Sequence, residues 1–186
     1  NGADVNCSYY CNRLEISGNY SVSEQDSSIY VGAVGASQGD NDRNIITDNY
    51  AERANGSVTR SGILVPYNAK SAYTVIANNV MVNFPANGIY VSAGAAASAD
   101  AGGVTITGNI LSDVQVNIHL DHARSVVISG NTGWTAFAHN LVIENSSHVV
   151  VGPNVLDESP RAGQQQDLRI DADHEDVRRS PNSCNA

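Results

Sequence analysis

A short phrase ending in asparagine recurs through this chain, and it limits the fold more than any other feature. It reads Leu14-Glu15-Ile16-Ser17-Gly18-Asn19, then Ile45-Ile46-Thr47-Asp48-Asn49 and Val75-Ile76-Ala77-Asn78-Asn79. It returns as Val104-Thr105-Ile106-Thr107-Gly108-Asn109, Val126-Val127-Ile128-Ser129-Gly130-Asn131 and Val149-Val150-Val151-Gly152-Pro153-Asn154. The closing asparagines are 30, 30, 30, 22 and 23 residues apart. A fixed period of this size marks a stacked repeat architecture. Between these phrases lies a second one, apolar-x-apolar: Ala3-Asp4-Val5, Ile29-Tyr30-Val31, Ile63-Leu64-Val65, Ile89-Tyr90-Val91, Ile118-His119-Leu120 and Leu141-Val142-Ile143. Alternation over so few residues, bounded by Gly, Asn and Ser, is strand and not helix.

Each repeat therefore holds at least two strands, and stacking repeats sets like strands beside like. Parallel ladders advance about 4.8 Å per coil, so six or seven coils make a rod on the order of 30 Å long. The asparagines close strands at sharp turns, where αL-tolerant residues are favoured. An amide turned inward there must be hydrogen-bonded. Stacked in register, the amides can satisfy one another as a ladder.

These phrases resemble the pectate-lyase-like superfamily of right-handed parallel β-helix proteins. Trp134 to Leu141 and Ser147 to Asn154 are similar to β-helix repeat proteins of environmental bacteria. The resemblance spans residues 1–157, taken as the β-helix, and leaves 158–186 as an irregular final coil, cap or disordered tail. There Leu168-Arg169-Ile170-Asp171 reads as one more strand. An open end presents a sheet edge, which favours a cap or homo-oligomerisation through the ends.

Composition narrows the partners. Acidic residues outnumber basic ones 19 to 10, for a net charge of −9. That excludes a nucleic-acid backbone and disfavours an anionic membrane surface. No stretch approaches the roughly 20 apolar residues of a membrane-spanning helix. Three cysteines, Cys7, Cys11 and Cys184, do not make a disulfide framework; Cys7 and Cys11 either pair or stay as buried thiols. No cofactor is implied, apart from calcium at Asp40-Asn41-Asp42 in the Gly- and Asp-rich loop from Ala33 to Arg43. The Ala/Gly/Ser run from Ser92 to Gly103 reads as a second inserted loop.

If the apolar residues of the short strands face inward, the middle residues form an outward column: Asp4, Tyr30, Leu64, Tyr90, His119, Val142. Two residues on, Asp121 and Glu144 fall on adjacent coils, with His122 and Arg124 in the turn that follows. This predicts a cluster of His119, Asp121, Glu144 and Tyr90. The resemblance implies an oligosaccharide or polysaccharide on this face and an extracellular or cell-surface address. Tyrosines Tyr30 and Tyr90 offer flat faces to sugar rings, with Asp4 and Arg124 as further binding groups. Asp121 and Glu144 suit glycoside hydrolysis. His119 or His122 suits proton abstraction in a lyase, with Arg124 neutralising a uronate. The Asn-Thr-Asp, paired-Asp, Gly-His-Gly and Arg-Ile-Lys phrases of polygalacturonases do not occur, nor does the arginine motif of pectate lyases. A non-catalytic glycan-binding, adhesive or phage-tail-like solenoid and a truncated enzyme relative are the alternatives. Trp134 and Phe137 are expected to pack beneath a turn.

Overall fold

The computed structural model describes residues 5–7, 11–23, 28–32, 41–54, 61–66, 71–92, 102–156, 168–170 and 177–179. The chain is a right-handed parallel β-helix with three sheets and no helix among the described residues. The first sheet stacks β1 (Val5–Cys7), β4 (Ile29–Val31), β8 (Ile63–Pro66), β11 (Asn87–Ser92), β14 (Val116–Asp121), β17 (His139–Glu144) and β20 (Leu168–Ile170). The second stacks β2 (Glu15–Ser17), β6 (Ile45–Thr47), β9 (Ser71–Ala77), β12 (Gly102–Thr107), β15 (Arg124–Ser129), β18 (Ser147–Val151) and β21 (Val177–Arg179), with β5 (Asn41–Asp42) beside β9. The third stacks β3 (Tyr20–Ser23), β7 (Tyr50–Arg53), β10 (Val80–Val82), β13 (Ile110–Ser112), β16 (Thr132–Trp134) and β19 (Val155–Leu156).

The strands are short because each has only one or two inward positions to fill. Ile16, Ile46, Ile76, Ile106, Ile128 and Val151 lie opposite one another down the second sheet and are all buried. Ile29, Ile63, Ile89, Ile118 and Leu141 form the matching inner column of the first sheet. Like residues at a 4.8 Å rise pack side against side, so the column is a continuous core.

The asparagine ladder is complete. The Nδ2 of Asn19, Asn49, Asn79, Asn109 and Asn131 each donates to the Oδ1 of the next coil's asparagine, at 2.8 to 3.0 Å. Each of those oxygens also accepts the backbone N–H of the asparagine before it. The turn itself is made one residue earlier than the sequence suggests. Gly18, Asp48, Asn78, Gly108 and Gly130 carry the positive φ, and the ladder asparagines do not. The left-handed residue swings the chain around, which leaves the following side chain pointing into the core.

Other expectations move. Register pairs Asn6, not Asp4, with Tyr30, so the outward column begins at Asn6; Asp4 lies outside the described residues. Ala3-x-Val5 and Val5-x-Cys7 satisfy the same alternation, and a slip of two keeps the face while shifting the position. Trp134 and Phe137 are 45% and 41% exposed and do not pack under a turn. Gly133 takes the inward place beside Leu111 and Leu156, so its neighbour Trp134 must face out. Asn41 and Asp42 pair as strand with Ser71 and Ala72, and Asp40 lies outside the described residues. Cys7 and Cys11 form a disulfide, and Cys184 lies outside the described residues.

Candidate functional site on the first sheet

The outward column of the first sheet runs Asn6, Tyr30, Leu64, Tyr90, His119, Val142. Two residues further along, Ser92, Asp121 and Glu144 stand opposite one another on successive strands. Adjacency here follows from period-two alternation and the parallel ladder alone.

Contacts tie these positions together. The Tyr90 and His119 rings lie 4.8 Å apart between centroids, tilted by 31°. His119 Nε2 and Glu144 Oε2 are 3.2 Å apart, with both side chains partly exposed. The Tyr90 hydroxyl donates to Asp121 Oδ2 at 3.5 Å, and Asn145 Nδ2 donates to Asp121 Oδ1 at 3.0 Å. His122 Nδ1 approaches the same Oδ1 to 2.6 Å, at angles that do not form a hydrogen bond. Burial pushes the Tyr90 phenol above its ordinary 10.0; the Ser92 hydrogen bond opposes this, while Asp121 and Glu144 add to it. Ionising a phenol inside that negative field is disfavoured.

The corner behind the carboxylates is firmly built. His122 and Asn145 occupy equivalent left-handed positions, at φ 55° and 47°. The His122 N–H donates to the Glu144 carbonyl at 3.1 Å. The buried Ser146 hydroxyl accepts the Ala123 N–H at 2.9 Å and donates to the Glu144 carbonyl at 2.7 Å. Val142, only 3% exposed, forms an apolar floor beside His119. Among the described residues no group of three or more His, Cys, Asp or Glu is placed to hold a metal ion.

The geometry thus gathers Tyr90, His119, Asp121, His122 and Glu144. It does not gather the rest. Tyr30 is separated from Tyr90 by Leu64, and Arg124 opens β15 on the second sheet, opposite Gly102 and Ser147. Sequence reasoning missed Asn145, whose only signal was its place directly after Glu144.

The family model of the right-handed β-helix region matches residues 57–160, more than half of the chain. The chain belongs to the right-handed β-helix family. No curated protein and no solved structure matches it. In this β-helix the match covers all of β8 to β19, and therefore every member of the Tyr90–Glu144 cluster.

Proposed function

We propose that this β-helix protein is carbohydrate-active, holding an oligosaccharide across the first sheet and hydrolysing a glycosidic bond there. The observation that carries the reading is the tilted Tyr90–His119 ring pair beside two carboxylates on adjacent rungs. An aromatic face takes the apolar side of a sugar, and carboxylates accept its hydroxyls. Asp121 and Glu144 stand opposite one another on adjacent rungs, and retaining glycosidases use two neighbouring carboxyls as nucleophile and acid. Asp121, oriented by Asn145, serves as nucleophile, and Glu144, beside His119, as acid and then base for the incoming water. Hydrolysis is preferred to β-elimination because Arg124, the group assigned to a uronate, sits on another sheet. The Cys7–Cys11 disulfide supports an extracellular or cell-surface address, since such bonds persist in oxidising compartments.

A second reading is a non-catalytic glycan-binding solenoid. It is favoured by the His119–Glu144 and Asn145–Asp121 hydrogen bonds, which let the cluster satisfy itself as surface structure. The test is the intact chain on a panel of neutral, acidic and amino polysaccharides, following reducing ends and unsaturated products. Hydrolysis gives new reducing ends with retained anomeric configuration and no unsaturated sugar. Glu144→Gln and Asp121→Asn each lower the rate by at least about a hundredfold. Binding without product, unchanged in both variants, overturns the hydrolase; unsaturated product overturns it in favour of a lyase.

A further inference from the structure

A second aromatic surface lies on the third sheet, away from the Tyr90–Glu144 cluster. Parity buries Ala51, Met81 and Leu111 and turns Tyr20, Val22, Ile110, Trp134 and Val155 outward. All five are exposed, Tyr20 to 75%. One exposed apolar side chain means little, but five in register on one sheet make a patch, and a patch marks an interaction surface. Its aromatic end is held in place. The Tyr50 hydroxyl donates to Glu52 Oε2 at 2.7 Å, two residues along the same strand, so the ring leans along β7. Tyr20 stacks on that ring, with centroids 4.9 Å apart and planes 8° from parallel. A ring fixed this way loses little freedom when a ligand covers it. Trp134 stands on β16, four strands further along the sheet, about 19 Å away at the parallel rise.

Charge and size select the occupant. Glu52 is the only charged side chain among the described outward residues of this sheet, although the chain carries a net charge of −9. A charged polymer therefore gains nothing here. The six strands span about 24 Å along the rod and their three or so residues about 10 Å across it, roughly 240 Å² in all. A stable protein partner, a second copy included, needs about 800 Å² on each side. A narrow, uncharged polymer with flat apolar faces suits this strip better, and aromatic rings take the apolar side of a sugar.

We propose that the outward face of the third sheet is a docking strip for an uncharged polysaccharide, with Tyr20 and Trp134 as its aromatic contacts. The inference goes beyond the first-sheet reading and does not depend on it, since the two faces belong to different sheets. The test is retention of the intact chain on cellulose, chitin and starch granules, with cross-linked polygalacturonate as a charged matrix. At least one neutral matrix retains the chain and polygalacturonate does not. Tyr20→Ala and Trp134→Ala each weaken retention about three- to tenfold, the worth of one aromatic contact. Val127→Ser, which removes an exposed apolar side chain from the second sheet, leaves retention unchanged, and so does Glu144→Gln on the first. Denaturation midpoints close to that of the parent chain show that the variants are folded. Retention lost in Glu144→Gln but kept in Trp134→Ala overturns this inference and leaves the first-sheet reading standing. Equal retention on polygalacturonate overturns the uncharged class. A dimer seen by light scattering and lost in Trp134→Ala overturns the proposal in favour of a second copy on this face. No retention on any matrix overturns it outright, while the first-sheet reading is judged separately by its products.

Discussion

At the residue scale the ladder asparagine is the most constrained group in the molecule. Asn79 Oδ1 accepts both the side chain and the backbone N–H of Asn49, and its Nδ2 donates to the Ile46 carbonyl and to Asn109. Asn79→Ala removes all of these at a fully buried position and leaves several polar groups without partners. With each such group costing about 1–3 kcal/mol and some relaxation, the expected loss is about 3 kcal/mol. Asn19→Ala, at an exposed end of the ladder, is expected to cost under about 1 kcal/mol. Urea denaturation of the two variants checks the contrast, and equal losses would mean the ladder is not the source of the stability. Tyr90 yields a second expectation. Its phenol is raised in the folded chain, so the fold holds the proton more tightly than the unfolded chain does. The corresponding stability is present below pH 10 and is lost as pH rises through the folded value. Tyr90→Phe should therefore flatten the alkaline fall in the denaturation midpoint, and an unchanged slope would contradict the assignment.

At the element scale, what was legible in the sequence is what a period of two dictates. Inward and outward faces follow from parity, and neighbours across coils follow from the repeat, so Tyr90, His119, Asp121 and Glu144 could be placed together before any coordinates. Corners carry no such rule. The left-handed residue before the first five ladder asparagines is Gly, Asp or Asn by turn, Pro153 precedes the sixth, and Asn145 stands in a corner where the preceding coil has His122. The first coil was misplaced by two residues because both settings leave an apolar residue inward. A second buried amide contact, Asn117 Nδ2 to Asn140 Oδ1, was invisible for a related reason. The equivalent place in earlier coils holds Gly88, Gly62 and Ser28, so no repeated asparagine announces it. Those small residues have their own cause. A Cβ on Gly62 would lie 2.8 Å from both the Gly88 carbonyl oxygen and Met81 Sδ, and one on Gly88 would lie 2.9 Å from the Asn117 carbonyl oxygen. Gly88→Ala must push backbone aside and is expected to cost about 1–3 kcal/mol, measured by chemical denaturation. A neutral effect would show that the corner yields more easily than its packing suggests.

At the scale of the whole molecule, a stack of coils is nearly one-dimensional. Each coil touches only the one before and the one after, so stability is a sum of coil and interface terms, and the ends are its weakest part. The Cys7–Cys11 disulfide lies beside β1, the outermost described strand of the first sheet. It joins β1 to the chain leading into β2, where Val5 N–H donates to the Ser28 carbonyl and Gly32 N–H to the Cys7 carbonyl. Closing so short a loop is worth about 2 kcal/mol on the chain-entropy account. In a globular core that contribution would be shared by every residue. Here it should stay local, because β12 and β15 exchange no contacts with β1 and their ladder bonds do not depend on it. Hydrogen exchange with and without reductant distinguishes the two cases. Reduction is expected to speed exchange of the Val5 and Gly32 amides by more than about tenfold while leaving those of Asn79 and Asn109 unchanged. Uniform acceleration along the whole rod would show instead that the coils open as a single unit, and the independence of the central rungs that carry the candidate site would be lost.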